Sequence, residues 1–362
     1  MTLAASGRSA RIEAVELERL GSFEEAAPAH AELARRSRNV FATPEFLSSW
    51  WHWFGAGRPL ELYAALDARG ETVGVVPLYV WRRRPARMLR FLGHGAGDQL
   101  GVVCEPDARP AVAAALVRLL RTQPAHVMLG EHLPRDEAWG ELLGGRRLVA
   151  EGSPVLRFEQ PSWESYVAAR SANLRQQIRR FERNLARSHE VRFTSPQRPE
   201  ELEAALDSLF ALHRARWGTA RTNFSLREGF HRDFARTAWD RGWARLWTLS
   251  VDGRPAAAWY GFRFEGAECY YQMGRDPAWD AARVGFVLLA HSIREAIGDG
   301  MQEYRFLRGD EAYKYRFANA DIGVESLLVT HGVRGAAGLA AAHAGLVLRR
   351  SLRRVRALSP GR

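Results

Sequence analysis

The sequence predicts a mixed α/β protein built from two units of similar size, each a mixed sheet flanked by helices. Three observations carry this. Apolar runs with strand-like alternation give way repeatedly to helical spacing along the 362 residues. With 46% hydrophobic residues and 12 tryptophans, the chain can bury a sizeable core. The pattern breaks once, at residues 151–161, where Pro154 and Pro161 bracket a short strand. The boundary is placed there, giving units at 1–155 and 156–330 and a basic amphipathic tail at 331–362.

In the first half, Thr43 reads as an N-cap with Pro44 at the first helical position, and a helix over 45–54 ends at Gly55. Residues 60–66 alternate as a strand, 67–70 turn, and the β-branched run 73–81 reads as a buried strand. Shorter strands are expected at 88–92, 100–103 and 125–129, with a helix over 111–120. From Ser162 a long helix is expected to run to 187. Leu174, Ile178, Phe181 and Leu185 define its apolar face, and Arg170, Arg175, Arg179, Arg183 and Arg187 the opposite one. That basic face reads either as a solvated surface or as an anion-binding one.

The second half continues with helices over 200–217 and 226–239. A three-strand meander follows (245–251, 255–264, 269–273), with Asp252-Gly253 and Glu265-Gly266 as hairpin turns. A loop leads to a helix over 284–297, a strand over 301–307, a helix over 311–318 and a closing strand over 324–330.

Of the 52 basic residues only one is a lysine, Lys314, and the formal net charge is +11. The arginine excess reads as a polyanion-binding surface or as the compositional drift of a GC-rich coding sequence. Under drift, the surviving lysine marks a position where a guanidinium does not serve. Composition excludes a disordered chain, a fibrous repeat and a small disulfide scaffold. Cys104 and Cys269 form no zinc or redox motif and read as small buried hydrophobes. No signal peptide is legible, and no run reaches the ~18 apolar residues of a membrane span. A cytoplasmic protein, at most peripheral to the inner membrane, is expected.

Residues 269–317 concentrate the chemistry. A strand, a short loop and a helix starting at Arg283, Val284 and Gly285 offer unpaired N–H groups and the positive end of a helix dipole, a site for phosphate. The run Arg308-Gly309-Asp310-Glu311 beside Tyr313-Lys314-Tyr315 gathers carboxylates, a lysine, tyrosines and an arginine at a strand end, where open α/β sheets place ligands. A carboxylate beside a lysine can act as a base or orient a substrate. The plainer reading is a helix cap with surface ion pairs.

This segment resembles the closing motif of GNAT-type acetyltransferase domains of the CelD-like, cellulose-biosynthesis group, relatives of the FemAB-type transferases. Tyr304, Phe306, Arg308, Gly309, Asp310, Glu311, Tyr313, Lys314, Tyr315, Arg316 and Phe317 carry the likeness. Further parts lie at 41–51, at Val75 to Leu78 and at 174–185, so it spans about residues 40–330. Two positions depart from the pattern. Arg305 stands where an acid is usual, and Arg283-Val284-Gly285 replaces a loop of the Ser-Pro-Gly kind.

The resemblance implies two tandem GNAT-like units, the first degenerate, and an acyl-CoA, acetyl-CoA above all, lying between splayed strands 269–273 and 301–307. Gln272, Met273 and Gly274 would hold the pantetheine arm and polarise the thioester, and Arg283, Gly285 and Phe286 the pyrophosphate. An amine would attack directly, with no metal and no covalent intermediate. Asp310 is assigned as base or amine orienter, Tyr313 as proton donor to the thiolate and Lys314 as anchor of substrate or loop. His94, Asp98, Arg308 and Glu311 are expected on the acceptor side. The acceptor is expected to be an amino sugar or saccharide amine of exopolysaccharide or cell-envelope synthesis. The alternatives are a FemAB-like transferase using aminoacyl-tRNA, and a non-catalytic protein of the polysaccharide machinery or membrane surface. The latter draws on Arg305 and on the tail 331–362, whose Arg349, Arg350, Arg353, Arg354 and Arg356 suit an anionic bilayer.

Overall fold

The computed structural model describes residues 12, 14–83, 86–122, 127–217, 222 and 224–330; the tail 331–362 lies outside them. In chain order the first elements are β1 (Glu16–Leu20), α1 (Ala27–Ser37), α2 (Pro44–Phe54), β2 (Leu60–Leu66), β3 (Thr72–Arg83), β4 (Ala86–Phe91), β5 (Val103–Cys104), α3 (Arg109–Thr122), β6 (Val127–Pro134), α4 (Trp139–Leu142) and β7 (Arg146–Glu151). Thr43 caps α2 as expected: its Oγ1 accepts from Phe46 N at 3.2 Å, with Pro44 next in line, a cap of about 1 kcal/mol. The helix buries Phe46, Leu47 and Trp50.

The remaining elements are β8 (Pro154–Arg157), α5 (Trp163–Ala168), α6 (Ala172–Ser188), β9 (Val191–Thr194), α7 (Pro199–Trp217), α8 (Glu228–Asp240), β10 (Ala244–Val251), β11 (Arg254–Phe264), β12 (Ala267–Arg275), α9 (Val284–Gly298), β13 (Glu303–Arg305), α10 (Ala312–Tyr315), β14 (Ala320–Asp321) and β15 (Val324–Thr330). The single helix expected from Ser162 is two. Ser162 and Ser165 form a capping box for α5, and Ser171 then caps α6 by accepting from Leu174 N, so a second helix start interrupts the first.

Two mixed sheets result. The first has the order β1-β2-β3-β4-β6-β15-β7, with β5 paired to β3; the second runs β14-β8-β13-β12-β11-β10-β9. The fold class is therefore the mixed α/β one that the patterning predicts. The placement of the last strand differs. β15 leaves the second unit and pairs antiparallel with β6 and β7, while β8, which spans the boundary, pairs with β13. The first sheet is completed by a strand from the second half. Sequence alternation shows that a segment is extended, but not whose edge it joins.

One core cluster joins the halves. It contains Phe41, Phe46 and Trp50 of the first with Leu206, Phe210, Phe230, Phe234, Tyr260 and Phe262 of the second. α1, α2, α7 and α8 thus lie between the sheets. The outer face of the first sheet is covered by α3 and α4, and that of the second by α5, α6 and α9.

Candidate active site

β12 and β13 run parallel through Ala267↔Glu303, Glu268↔Tyr304 and Cys269↔Arg305 and then part. β13 stops because Leu307 adopts φ 55° and Gly309 φ 128°, the latter a conformation open to glycine. This is why the strand expected over 301–307 is only three residues long. β12 runs on and carries a bulge: Tyr260 faces Gln272 and Gly261 faces Tyr270, leaving Tyr271 without a partner on β11. The extra residue puts Tyr270 and Met273 on one face, at the splay. Tyr271 points the other way, and its hydroxyl donates to Ala96 O at 2.6 Å.

The splay opens into a cavity of about 470 Å³. Its outer end is the start of α9. Arg283 caps that helix at φ 58°, and the i→i−4 bond from Val287 N reaches Arg283 O at 3.1 Å. Val284 and Gly285, whose N–H groups precede that bond, both line the cavity. A Cβ on Gly285 would meet Arg275 Cδ and Met273 Sδ at 3.3 Å, so the glycine keeps the helix end open.

The lining is strongly cationic. Arg180, Arg216, Arg275, Arg283 and Arg316 face a single carboxylate, Asp280, already paired with Arg275. Burial, with Arg216 and Arg283 nearby, holds the Arg275 guanidinium below its usual pKa. Arg216 Nη1 donates to Met273 O at 3.4 Å, and Arg316 Nη2 to Gln177 Oε1 at 2.7 Å. Such a concentration of fixed cations at a helix N-terminus fits a polyphosphate anion. The walls are apolar, from Phe181, Phe286 and Leu289.

At the inner end Tyr313 and Tyr270 both line the cavity. Burial raises the Tyr313 phenol well above its ordinary range, and the neighbouring Tyr270 adds to this. The hydroxyl is therefore protonated at neutral pH.

Other members of the motif hold the loop. Lys314 is 4% exposed. Its Nζ donates to Arg308 O at 2.8 Å and pairs with Glu311 Oε2 at 2.9 Å. A Cβ on Gly309 would lie 2.9 Å from that nitrogen, so the ammonium sits in a closed turn where a planar guanidinium would not fit. Arg308 reaches the first half, with Nε 3.5 Å from Asp98 Oδ1 and Nη1 3.3 Å from Glu151 Oε2. Burial opposes its charge, but the two carboxylates outweigh burial and raise its pKa. Asp98 is raised by burial, against the pull of Arg308 and Lys314.

Of the residues singled out in the sequence, Met273, Arg283, Gly285, Phe286 and Tyr313 line the cavity. Gln272 and Gly274 do not, because the pleat turns them away from Met273; a Cβ on Gly274 would strike His213 N of α7 at 2.5 Å. Asp310 is exposed and turned away, its Oδ1 accepting from Gly152 N at 2.6 Å. Glu311 is also exposed. His94 lies in the first half, 3.4 Å from Tyr79 Oη and 3.8 Å from Glu131 Oε2. Burial, with Arg90 and Arg227 nearby, lowers its pKa to about 2. Arg305 points away from the cavity, donating to Arg38 O at 2.7 Å and pairing with Glu303 at 2.6 Å. As a cross-strap it leaves the splay intact. Gln177, Arg180, Arg216, Tyr270 and Arg316 were not singled out for the cavity; Arg316 and Tyr270 lay in the informative segment, and the others signalled nothing beyond being on helices. Among the described residues no His, Cys, Asp or Glu cluster could hold a metal ion, and no helix is long and apolar enough to cross a membrane.

Residues 172–315 match the acetyltransferase (GNAT) domain family. They contain the splay, α9 and the motif loop; the chain is an acyltransferase, and the domain implies an acyl-CoA co-substrate. In fold the chain is similar to FemX, with a TM-score of 0.60 at 11% identity over 87% of this chain and 97% of that one. It is also similar to the C-terminal domain of a putative lysylphosphatidylglycerol synthetase from Agrobacterium fabrum (TM-score 0.57, 14% identity, 90% and 97% covered). A third likeness is to L-PGS from Bacillus licheniformis (0.53, 12%, 89% and 97%). At these identities the likeness is one of fold. No curated protein matches the chain in sequence.

Proposed function

We propose that the protein transfers an acyl group, acetyl above all, from coenzyme A to an amine, the acceptor being an amino sugar or saccharide amine of exopolysaccharide or cell-envelope synthesis. The observation that carries the donor is the splay between β12 and β13 opening onto the arginine-lined start of α9. The N–H groups of Val284 and Gly285, with Arg283 and Arg275, hold the pyrophosphate. The bulged stretch 270–273 presents backbone N–H groups to the thioester carbonyl, where negative charge develops as the amine nitrogen attacks. The C–N bond forms, the C–S bond breaks, and Tyr313 protonates the departing sulfur. The amine's own proton leaves through water, since the cavity's one carboxylate is held by Arg275. Asp310, Arg308 and Lys314 set the position of the loop that carries Tyr313.

The polysaccharide setting rests on the CelD-like motif. A second reading, with aminoacyl-tRNA as donor, draws on the exposed Arg179, Arg183 and Arg187 of α6. Incubation with acetyl-CoA and a panel of amino sugars tests the proposal through release of free coenzyme A thiol. Amine-dependent thiol release is expected. Transfer from aminoacyl-tRNA, with no thiol release from any acyl-CoA, would overturn it.

A further inference from the structure

Beside the main cavity lies a second one of about 290 Å³, between the C-terminal half of α6 and the chain entering α9. Arg180 and Phe181 line both, so the two adjoin. Resting on the coenzyme A reading above, we infer that this groove seats the adenine nucleotide end of the donor and sets the preference for coenzyme A over shorter thioesters.

The groove has the composition such a group requires. Phe181, Leu185 and Ala282 form apolar walls for the faces of a flat base. Asn184 and Ser188, one turn apart on the same side of α6, stand at the groove with their amide and hydroxyl exposed. Neither is hydrogen-bonded to another group among the described residues. An asparagine amide matches the donor–acceptor edge of adenine with two bonds. Arg180, at the junction, lies over the Phe181 ring at 4.9 Å and has no carboxylate partner among the described residues, leaving its fork for a phosphate.

Distance separates the two donors. Gln177, bonded to Arg316, lines the main cavity, and Ser188 lines the groove. At 1.5 Å per residue they stand about 16 Å apart along α6. In a coenzyme A thioester the pantetheine arm and pyrophosphate hold the base far from the carbonyl. In an aminoacyl-tRNA the ester hangs from the ribose of the terminal adenosine, and the base would lie beside the splay instead.

The test compares acetyl-CoA with acetyl-phosphopantetheine, which lacks the nucleotide, on the full chain and on Asn184→Ala and Ser188→Ala. The native protein is expected to lose about 30-fold in kcat/KM on the truncated donor. Each variant should raise KM for acetyl-CoA about tenfold at constant kcat and leave the truncated donor's kinetics unchanged, which also shows that the variants are folded. Equal use of both donors by the native protein, or equal effects of the variants on both, would overturn the groove assignment and leave coenzyme A as the donor. Failure of acetyl-CoA altogether, with transfer from aminoacyl-tRNA, would overturn both.

Discussion

The two halves contain the same device in two states. In the first, β4 and β6 run parallel through Met88↔Val127, Leu89↔Met128 and Arg90↔Leu129 and then part, as β12 and β13 do. After the first splay the chain from Leu92 to Val102 folds back into the gap. Leu100 N donates to His132 O at 3.0 Å, and His132 Nδ1 lies 3.1 Å from Gly97 O. After the second splay the chain from Asp276 to Arg283 passes outside the gap and enters α9, and the gap stays open at about 470 Å³. His132 at φ 55° and Leu307 at φ 55° mark where each inner strand leaves its partner. A parallel pair that splays offers a slot, and the connection that follows determines whether it becomes core or binding site.

The largest test of this contrast fills the open slot. Gly285→Trp places an indole between Arg275 and Met273, and acyl-CoA affinity should fall by about 100-fold or more by calorimetry, with the far-ultraviolet circular dichroism unchanged. Removing the proton donor comes next: Tyr313→Phe should lower kcat by about 100-fold with KM unchanged in steady-state kinetics.

A third test uses acid. Burial and nearby arginines lower His94 to about 2 and His132 to about 4, from an ordinary 6.5. The unfolded chain therefore binds more protons than the folded one as pH falls below 6.5, and stability is lost through that window. Both histidines belong to the closed slot, and no histidine lines the open one. His94→Gln with His132→Asn, asparagine being tolerant of positive φ, should flatten the decline in Tm between pH 6.5 and 4 by about 3 °C. The smallest effect is expected at Asp310. Asp310→Asn should cost about 1 kcal/mol in denaturant unfolding through its bond to Gly152 N, and change kcat less than about threefold. A loss near that of Tyr313→Phe would return Asp310 to the chemistry.

Local patterning made most elements legible: the capped α2, the meander β10–β12 and α9 with its glycine stop all follow from residue order. The motif around Lys314 was legible as a site, and the lone lysine has a reason in the closed turn it occupies. What was not legible depends on distant partners. Strand alternation could not say that β15 joins the first sheet. The bulge at Tyr271, which moves Tyr270 onto the cavity face, arises from register between strands. Arg180 and Arg216 reach the cavity from α6 and α7, each looking from sequence like any other arginine among 51. Asp310 and Lys314 looked alike as candidates, and only tertiary structure shows both turned to the loop, while Tyr313 faces the slot.

The most direct measurement is the stoichiometry of acyl-CoA binding by isothermal titration calorimetry on the native chain and on Gly285→Trp. One site per chain, lost on that substitution, is the predicted result. Two sites per chain, or one site that survives Gly285→Trp, would contradict the division of labour between the closed and open slots.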